Sequence, residues 1–69
     1  MWKMGMIDGY EYQVKVYEEG SEFGINGGRI SKLWMRKDHK EVANYDRGWD
    51  KKPTGAAKAA YNKLLAMYN

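Results

Sequence analysis

The 69-residue sequence contains no cysteine, one histidine and one proline. Without cysteine the chain can form neither a disulfide bond nor a zinc site built on thiolates, and one histidine cannot complete a metal site alone. A chain of this length buries only ~60% of the surface that it exposes when unfolded, so its core is small. Ten aromatic residues (three Trp, six Tyr and one Phe) must supply much of the packing. We therefore expect self-association into a homodimer or higher homo-oligomer to add stability.

The sequence also lacks an apolar run of the ~18 residues that a membrane span needs, and it lacks the apolar segment of a signal peptide. These absences predict a cytoplasmic protein with no membrane partner. Twelve basic and nine acidic residues give a net charge of +3. This mild excess favours an anionic partner, although it is far from the charge of a polybasic tail.

Catalytic motifs are missing as well. The sequence has no nucleophile–base pair and no cluster of metal-ligating residues. Asp46 and Asp50 lie four residues apart beside Trp49, but a glycosidase-like carboxylate pair needs a cleft that nothing in the sequence supplies. His39 falls in a polar turn and is interpreted as an exposed loop residue. The sequence predicts a protein that is not an enzyme and that needs no cofactor.

The elements that are present indicate an α+β fold. Apolar and polar residues alternate along four segments, and Asp8-Gly9 fits a two-residue type I′ turn because both positions require positive φ. From Ala57 to Tyr68 the apolar residues recur at helical spacing, after a start signal at Pro53 and Thr54. The prediction is an antiparallel four-stranded meander, two hairpins joined by a Gly-rich loop, with one C-terminal helix packed on one face. The strands are predicted near residues 2–7, 10–17, 29–36 and 41–45, and the helix near 54–68.

The alternation also predicts which side chains share a face of the sheet. The helix is expected to cover Trp2, Met4, Tyr10, Tyr12, Val14, Leu33 and Met35. Ile30 is placed on the opposite side of the third strand. That opposite face is expected to carry Lys3, Lys15, Tyr17, Lys32, Trp34 and Arg36.

The Gly-rich loop from Glu18 to Gly28 allows two interpretations. It is either an Ω-like loop that packs through Phe23 and Ile25, or an anion-binding loop in which the amides of Asn26, Gly27 and Gly28 face a phosphate. Neither phosphate-binding glycine motif is present, and a strand rather than a helix follows the loop. The usual helix-dipole argument for phosphate binding therefore does not apply.

Cations interleaved with aromatic residues are typical of a recognition surface, because rings stack on partners and cations meet phosphates or carboxylates. The same surface could close a homodimer or bind a nucleic acid, although the motif and element order of the RNA-binding sheet modules are absent. The predicted partner-binding residues are Lys15, Tyr17, Arg29, Lys32, Trp34 and Arg36.

The run EFGINGGRISKLWMRK followed by VANYDRGWD resembles a group of small domain-of-unknown-function proteins of Gram-positive bacteria and their phages and mobile elements. The resemblance covers roughly residues 2–50, and the helix matches only in type. It implies an accessory protein carried by a phage. Small proteins in that setting often inhibit host antiviral defence, as anti-CRISPR-type protein inhibitors or by sequestering a nucleotide signal. The resemblance thus implies a host defence protein or an anionic nucleotide as the partner, and a nucleic acid is the alternative.

Overall fold

The computed structural model describes residues 1–69 and contains one five-stranded antiparallel sheet and one helix. The α+β meander with a C-terminal helix is confirmed, but the predicted number of strands, four, is wrong. Neighbouring strands in the sheet are also neighbours in sequence, from β1 at one edge to β5 at the other. The elements are β1 Trp2–Ile7, β2 Tyr10–Val16, a 3₁₀ turn Ile25–Gly27, β3 Ile30–Lys37, β4 Lys40–Asp46, β5 Trp49–Lys51 and α1 Gly55–Tyr68.

Tight turns join the strands within each hairpin. Asp8 and Gly9 have φ of 51° and 84°, as the predicted type I′ turn requires. Asp38 and His39, between β3 and β4, also have positive φ, which places His39 in the exposed turn predicted for it. Because a two-residue turn has only one loop length and one turn type, it fixes the register of the two strands that it joins.

The fifth strand follows a turn at Arg47 and Gly48. The amide of Asp46 donates to the carbonyl of Gly48 at 2.9 Å, and Trp49 then pairs with Tyr45. No strand was predicted here from the sequence, because three residues are too few to show an alternating pattern. The strand turns the Trp49 ring towards the helix, where it packs edge-on against Tyr45 and Tyr61 with centroids 5.0 and 5.4 Å away.

The helix α1 covers one face of the sheet. Its small alanines allow close approach, and Leu64 is fully buried. The apolar positions that predicted the helix are therefore the ones that face the sheet. The core consists of Tyr10, Tyr12, Val14, Ile25, Ile30, Leu33, Met35, Ala43, Tyr45, Ala57, Ala60, Tyr61 and Leu64.

The predicted orientation of β1 is wrong. Ile7 pairs with Tyr10 across the first turn, and Lys3 pairs with Val14, so these residues share the side that the helix covers. Trp2 and Met4 consequently point to the opposite side and are exposed. Residues that face each other across an antiparallel pair project to the same side of the sheet, so the register determines which side each residue of β1 faces.

Ile30 was also assigned to the wrong face. A β-bulge lies where Lys15 pairs with Lys32 and Val16 pairs with Ile30, which leaves Ser31 as an extra residue in β3. The bulge resets the alternation, because one unpaired residue shifts every side chain before it to the other face. Ile30 is therefore buried in the core, while Lys32 keeps its predicted orientation.

The Gly-rich loop folds back on itself. A β-carbon on Gly20 would collide with the carbonyl oxygen of Gly27, and one on Gly24 with that of Gly28, so two backbone segments touch where only glycine fits. Ile25 is buried, as the Ω-like interpretation predicted, but Phe23 is exposed. The side chain of Asn69 closes the loop by accepting from the amide of Ile30 and donating to the carbonyl of Ile25, both at 3.0 Å.

The anion-binding interpretation of the same loop requires free backbone amides, and two of the three amides are already hydrogen-bonded within the loop. The amide of Gly27 donates to the carbonyl of Gly24 at 3.0 Å, and that of Gly28 donates to Ile25 at 2.8 Å. Asn26, between them, lies in the left-handed region at φ 53° and completes the 3₁₀ turn. The two glycine amides are thus engaged within the loop rather than turned towards a ligand.

Candidate functional site

The candidate site is the side of the sheet that the helix leaves uncovered, which we call the open face. Strand register brings four of the predicted residues together there. Lys15 lies directly opposite Lys32, and Trp34, two residues further along β3, lies between Gln13 and Asn44. Arg36 pairs with Glu11. Tyr17 also projects to this side, since the ammonium of Lys15 lies 5.4 Å from its ring centroid.

Arg29, the remaining residue predicted to contact a partner, lies away from this cluster. Its Nε donates to the carbonyl oxygen of Tyr68 at 3.2 Å, at the end of the helix. Arg29 was predicted as a contact residue from its place at the end of the Gly-rich loop and not from strand alternation, so its orientation had no support from the pattern of β3. Its observed contact closes the Gly-rich loop against α1.

At the centre of the open face, Arg36 and Trp34 form one stacked unit. The guanidinium carbon of Arg36 lies 5.1 Å from the Trp34 ring centroid, and Nη2 of Arg36 lies 2.7 Å from Oε2 of Glu11. Glu11 therefore neutralises the cation and holds it over the ring. The Trp34 side chain is half-buried, so part of its indole remains exposed on this face.

A second region of the open face, which we call the cationic pocket, is a cavity of about 210 Å³ at the end of the sheet nearest the Gly-rich loop. Lys32 is 3.8 Å from Asp46, whereas Lys15 and Arg47 make no ion pair. Lys15 lowers the pKa of the Tyr17 hydroxyl below its ordinary value of 10.0, and Ser31 and Arg47 lower it further. This lowered pKa indicates a local field that favours negative charge. The pocket is lined by Lys15, Tyr17, Ser21, Phe23, Ser31, Lys32 and Arg47.

Four of the seven residues that line the cationic pocket were not predicted as site residues: Ser21, Phe23, Ser31 and Arg47. Arg47 and Phe23 are the two that add a charge and a ring. Arg47 lies in the turn before β5, and its guanidinium carbon is 5.9 Å from the ring centroid of Phe23. Phe23 is fixed in this position because the hydroxyl of Tyr45 donates to its carbonyl oxygen at 2.8 Å. Both residues come from loops, whose geometry alternation cannot predict, so the sequence carried no signal for their meeting with Lys15.

A third region, which we call the apolar edge, consists of Trp2, Met4 and Met6 of β1. Their relative exposures are 49%, 67% and 64%, although all three are large apolar side chains. They share the open face because they pair with Lys15, Gln13 and Glu11. The signal was present in the sequence, since the turn at Asp8-Gly9 fixes this register.

Two further observations concern the rest of the molecule. No group of three or more His, Cys, Asp or Glu side chains lies close enough together to hold a metal ion. The single helix is too short and too polar to span a membrane.

The fold and the site define a class: a small sheet-and-helix domain that presents one aromatic and cationic sheet face. The chain belongs to the family described as "Domain of unknown function (DUF7678)", which matches it over residues 1–69. No curated protein and no solved structure matches the chain. Membership of a domain-of-unknown-function family is thus confirmed over the whole sequence, while an origin in Gram-positive bacteria or their phages stays a prediction.

Proposed function

We propose that this protein is a small, non-enzymatic binding protein that captures its partner stoichiometrically through the open face. The observation that carries this proposal is the cationic pocket, in which Lys15 and Arg47 have no carboxylate partner and lie against exposed aromatic rings. Surface cations are ordinarily free in water and need no explanation. Two of them converging on one cavity with the rings of Tyr17 and Phe23 offer both charge and stacking to a ligand.

The partner that this chemistry fits best carries an anionic group beside a flat or apolar surface. A nucleotide has both, and so does a protein that presents a carboxylate beside an aromatic side chain. Within this function we propose the specific role that the sequence resemblance implies, that of a phage-borne inhibitor of host antiviral defence. In the host cytoplasm it would bind a defence protein or sequester a nucleotide signal.

Nucleic-acid binding is the second candidate, because aromatic rings and cations alternate along the open face. A track for a polyanion requires a continuous row of free cations. Here Asp46 lies beside Lys32, and Glu11 holds Arg36 at 2.7 Å, so carboxylates interrupt that row. The pattern favours a partner with a localised negative charge over a strand of phosphates.

The proposal can be tested by passing host lysate over the immobilised protein and over a Lys15→Ala/Arg47→Ala variant. A Lys52→Ala/Lys58→Ala variant is the matched control, because it removes the same charge from exposed positions outside the pocket. The bound fraction is divided between protein identification and nucleotide extraction. We expect the wild type and the control to retain one partner at a fixed ratio, and the pocket variant to lose it.

The salt dependence of the captured complex then separates the two candidates. A nucleic acid should lose affinity steeply with salt, since each neutralised phosphate releases counterions, whereas a protein or a single nucleotide should lose much less. Equal retention of the partner by all three proteins would contradict a role for the cationic pocket. Thermal melts of each variant show whether a loss of binding reflects a loss of fold.

A further inference from the structure

The main-chain groups of β1 point alternately towards β2 and away from the sheet. Met1 and Val16 exchange both of their hydrogen bonds, at 2.7 and 2.9 Å, which identifies them as a hydrogen-bonded pair. In an antiparallel ladder such pairs alternate with non-bonded ones. Lys3, Gly5 and Ile7 therefore bond to β2, while the N–H and C=O groups of the alternate residues face outwards. The outward-facing residues are Trp2, Met4 and Met6.

The apolar edge thus combines exposed apolar side chains with main-chain groups that lack hydrogen-bond partners. The same three residues present exposed apolar side chains on the open face and unpaired main-chain groups at the rim of the sheet. Edge strands are usually protected from pairing by charge, proline or a bulge. The stretch from Trp2 to Ile7 contains no proline, its pairing with β2 has no bulge, and its single charged residue is Lys3.

We propose that this edge pairs antiparallel with the same edge of a second copy of the chain, with Met4 opposite Met4 across a two-fold axis. Trp2 of each copy then lies opposite Met6 of the other, and the two five-stranded sheets become one continuous sheet. All three outward-facing residues of each copy gain main-chain hydrogen bonds in this register. A two-fold interface requires a surface that is complementary to itself, and this strand satisfies that condition.

The charge pattern selects this register over its neighbours. Hydrogen bonding requires outward-facing residues to meet one another, so the register can only shift in steps of two. A shift one way places Lys3 opposite Lys3, which is unfavourable for like charges. A shift the other way leaves Trp2 without a partner. With Met4 on the axis, Lys3 instead faces Gly5, whose missing side chain already accommodates the Tyr12 ring.

Pairing would also place the exposed apolar side chains of one copy directly beside those of the other, which removes part of their surface from water. This inference goes beyond the proposed function, because it uses no residue of the cationic pocket. Loss of the dimer would leave Lys15, Arg47 and Phe23 unchanged. The two proposals can consequently fail separately.

Amide hydrogen exchange across a dilution series tests the pairing directly. In the dimer we expect the amides of Trp2, Met4 and Met6 to exchange slowly, and dilution should release them while Lys3, Gly5 and Ile7 stay protected by β2. Exchange of the outward amides that does not depend on concentration would overturn the proposal. Protection that arises only when a foreign protein is added would also overturn it, since the edge would then serve another chain.

Sedimentation equilibrium of variants provides the second test. Met4→Lys places two ammonium groups face to face on the axis and should raise the dimer dissociation constant by roughly tenfold or more. Met67→Lys is the matched control, since Met67 on the helix is 54% exposed and takes no part in the edge. The control should dimerise like the wild type. A wild type that stays monomeric at high micromolar concentration, or a Met4→Lys variant that dimerises normally, would refute the pairing.

Discussion

The two faces of this sheet carry similar residue types and use them in opposite ways. On the helix-covered face the hydroxyl groups of Tyr12 and Tyr68 are 2.8 Å apart, and Trp49 lies edge-on to Tyr45 and Tyr61. On the open face the rings of Tyr17, Phe23 and Trp34 have cations as neighbours and keep exposed surface. Tyr10 on the covered face also has a cation beside it, the ammonium of Lys37 at 4.9 Å from its ring centroid, yet Tyr10 is buried. The comparison shows that aromatic content alone does not indicate a core. Whether a ring lies on the side that the helix covers decides whether it packs in the core or stays exposed.

The division also separates the residues that stabilise the fold from those that we propose for partner binding. Every fully buried large side chain belongs to the covered face or to the loop that closes it. All three ion pairs lie at exposed positions, where such pairs contribute little. Substitutions on the two faces should therefore have distinguishable effects.

The largest expected effect is that of Leu64→Ala on the covered face. Leu64 is fully buried between the helix and the sheet, so its truncation leaves a cavity and should cost about 2–5 kcal/mol of unfolding free energy. For so small a domain this loss approaches the whole stability. Met67→Ala, on the exposed side of the same helix, should change it by less than about 1 kcal/mol. Denaturant titration of both variants checks the contrast, and similar losses would refute the packing described here.

An intermediate effect, on binding rather than stability, is expected for Trp34→Ala combined with Arg36→Ala. Neither side chain enters the core, so the variant should melt close to the wild type. Aromatic and arginine residues dominate binding interfaces, and this truncation should weaken partner binding by about 2 kcal/mol or more. Thermal melts together with the capture assay provide the measurement. If the variant unfolds, the open face contributes to the core; if it binds normally, the interface lies elsewhere on the protein.

The smallest effect should appear in the titration of the tyrosines. The hydrogen bond between Tyr12 and Tyr68, with burial, raises the pKa of Tyr12 to about 12, while Lys15 lowers that of Tyr17 below 10.0. Because the folded pKa of Tyr12 exceeds the unfolded one, its contribution to stability is complete below pH 10 and is lost as the pH rises through 12. In an absorbance titration, Tyr17→Phe should remove an early phase and Tyr12→Phe a late one. The reverse order would contradict the opposite environments of the two faces.

Most of the fold could be predicted from the sequence because β2, β3 and α1 carry strong periodic patterns. The error in β1 has a different origin. A two-residue turn at Asp8-Gly9 requires Ile7 to lie opposite Tyr10, and hence Trp2 and Met4 to lie on the open face. Periodicity shows which residues share a side of one strand, but only the pairing between strands shows which side that is.

The bulge at Ser31 and the short β5 could not have been predicted in this way. A bulge interrupts the alternation of apolar and polar residues that reveals a strand. A strand of three residues is too short to show that alternation at all. The same limit applies to the candidate site. Lys15, Lys32, Trp34 and Arg36 were predicted together because they alternate on adjacent strands. Arg47 and Phe23 were missed because loop geometry brings them to the pocket.

The way in which the helix is attached has a consequence for the folding pathway. The sheet consists of adjacent strands, and three of its four pairings are closed by short turns, so most of it forms from contacts that are local in sequence. The hydrogen bonds that join the side chains of Tyr68, Asn69 and Lys63 with the sheet and its loops instead span 39 to 56 residues. Such distant contacts bear the larger loop-closure cost, and the helix finds a surface to pack on only after the meander exists. Leu64→Ala should accordingly accelerate unfolding far more than it slows folding.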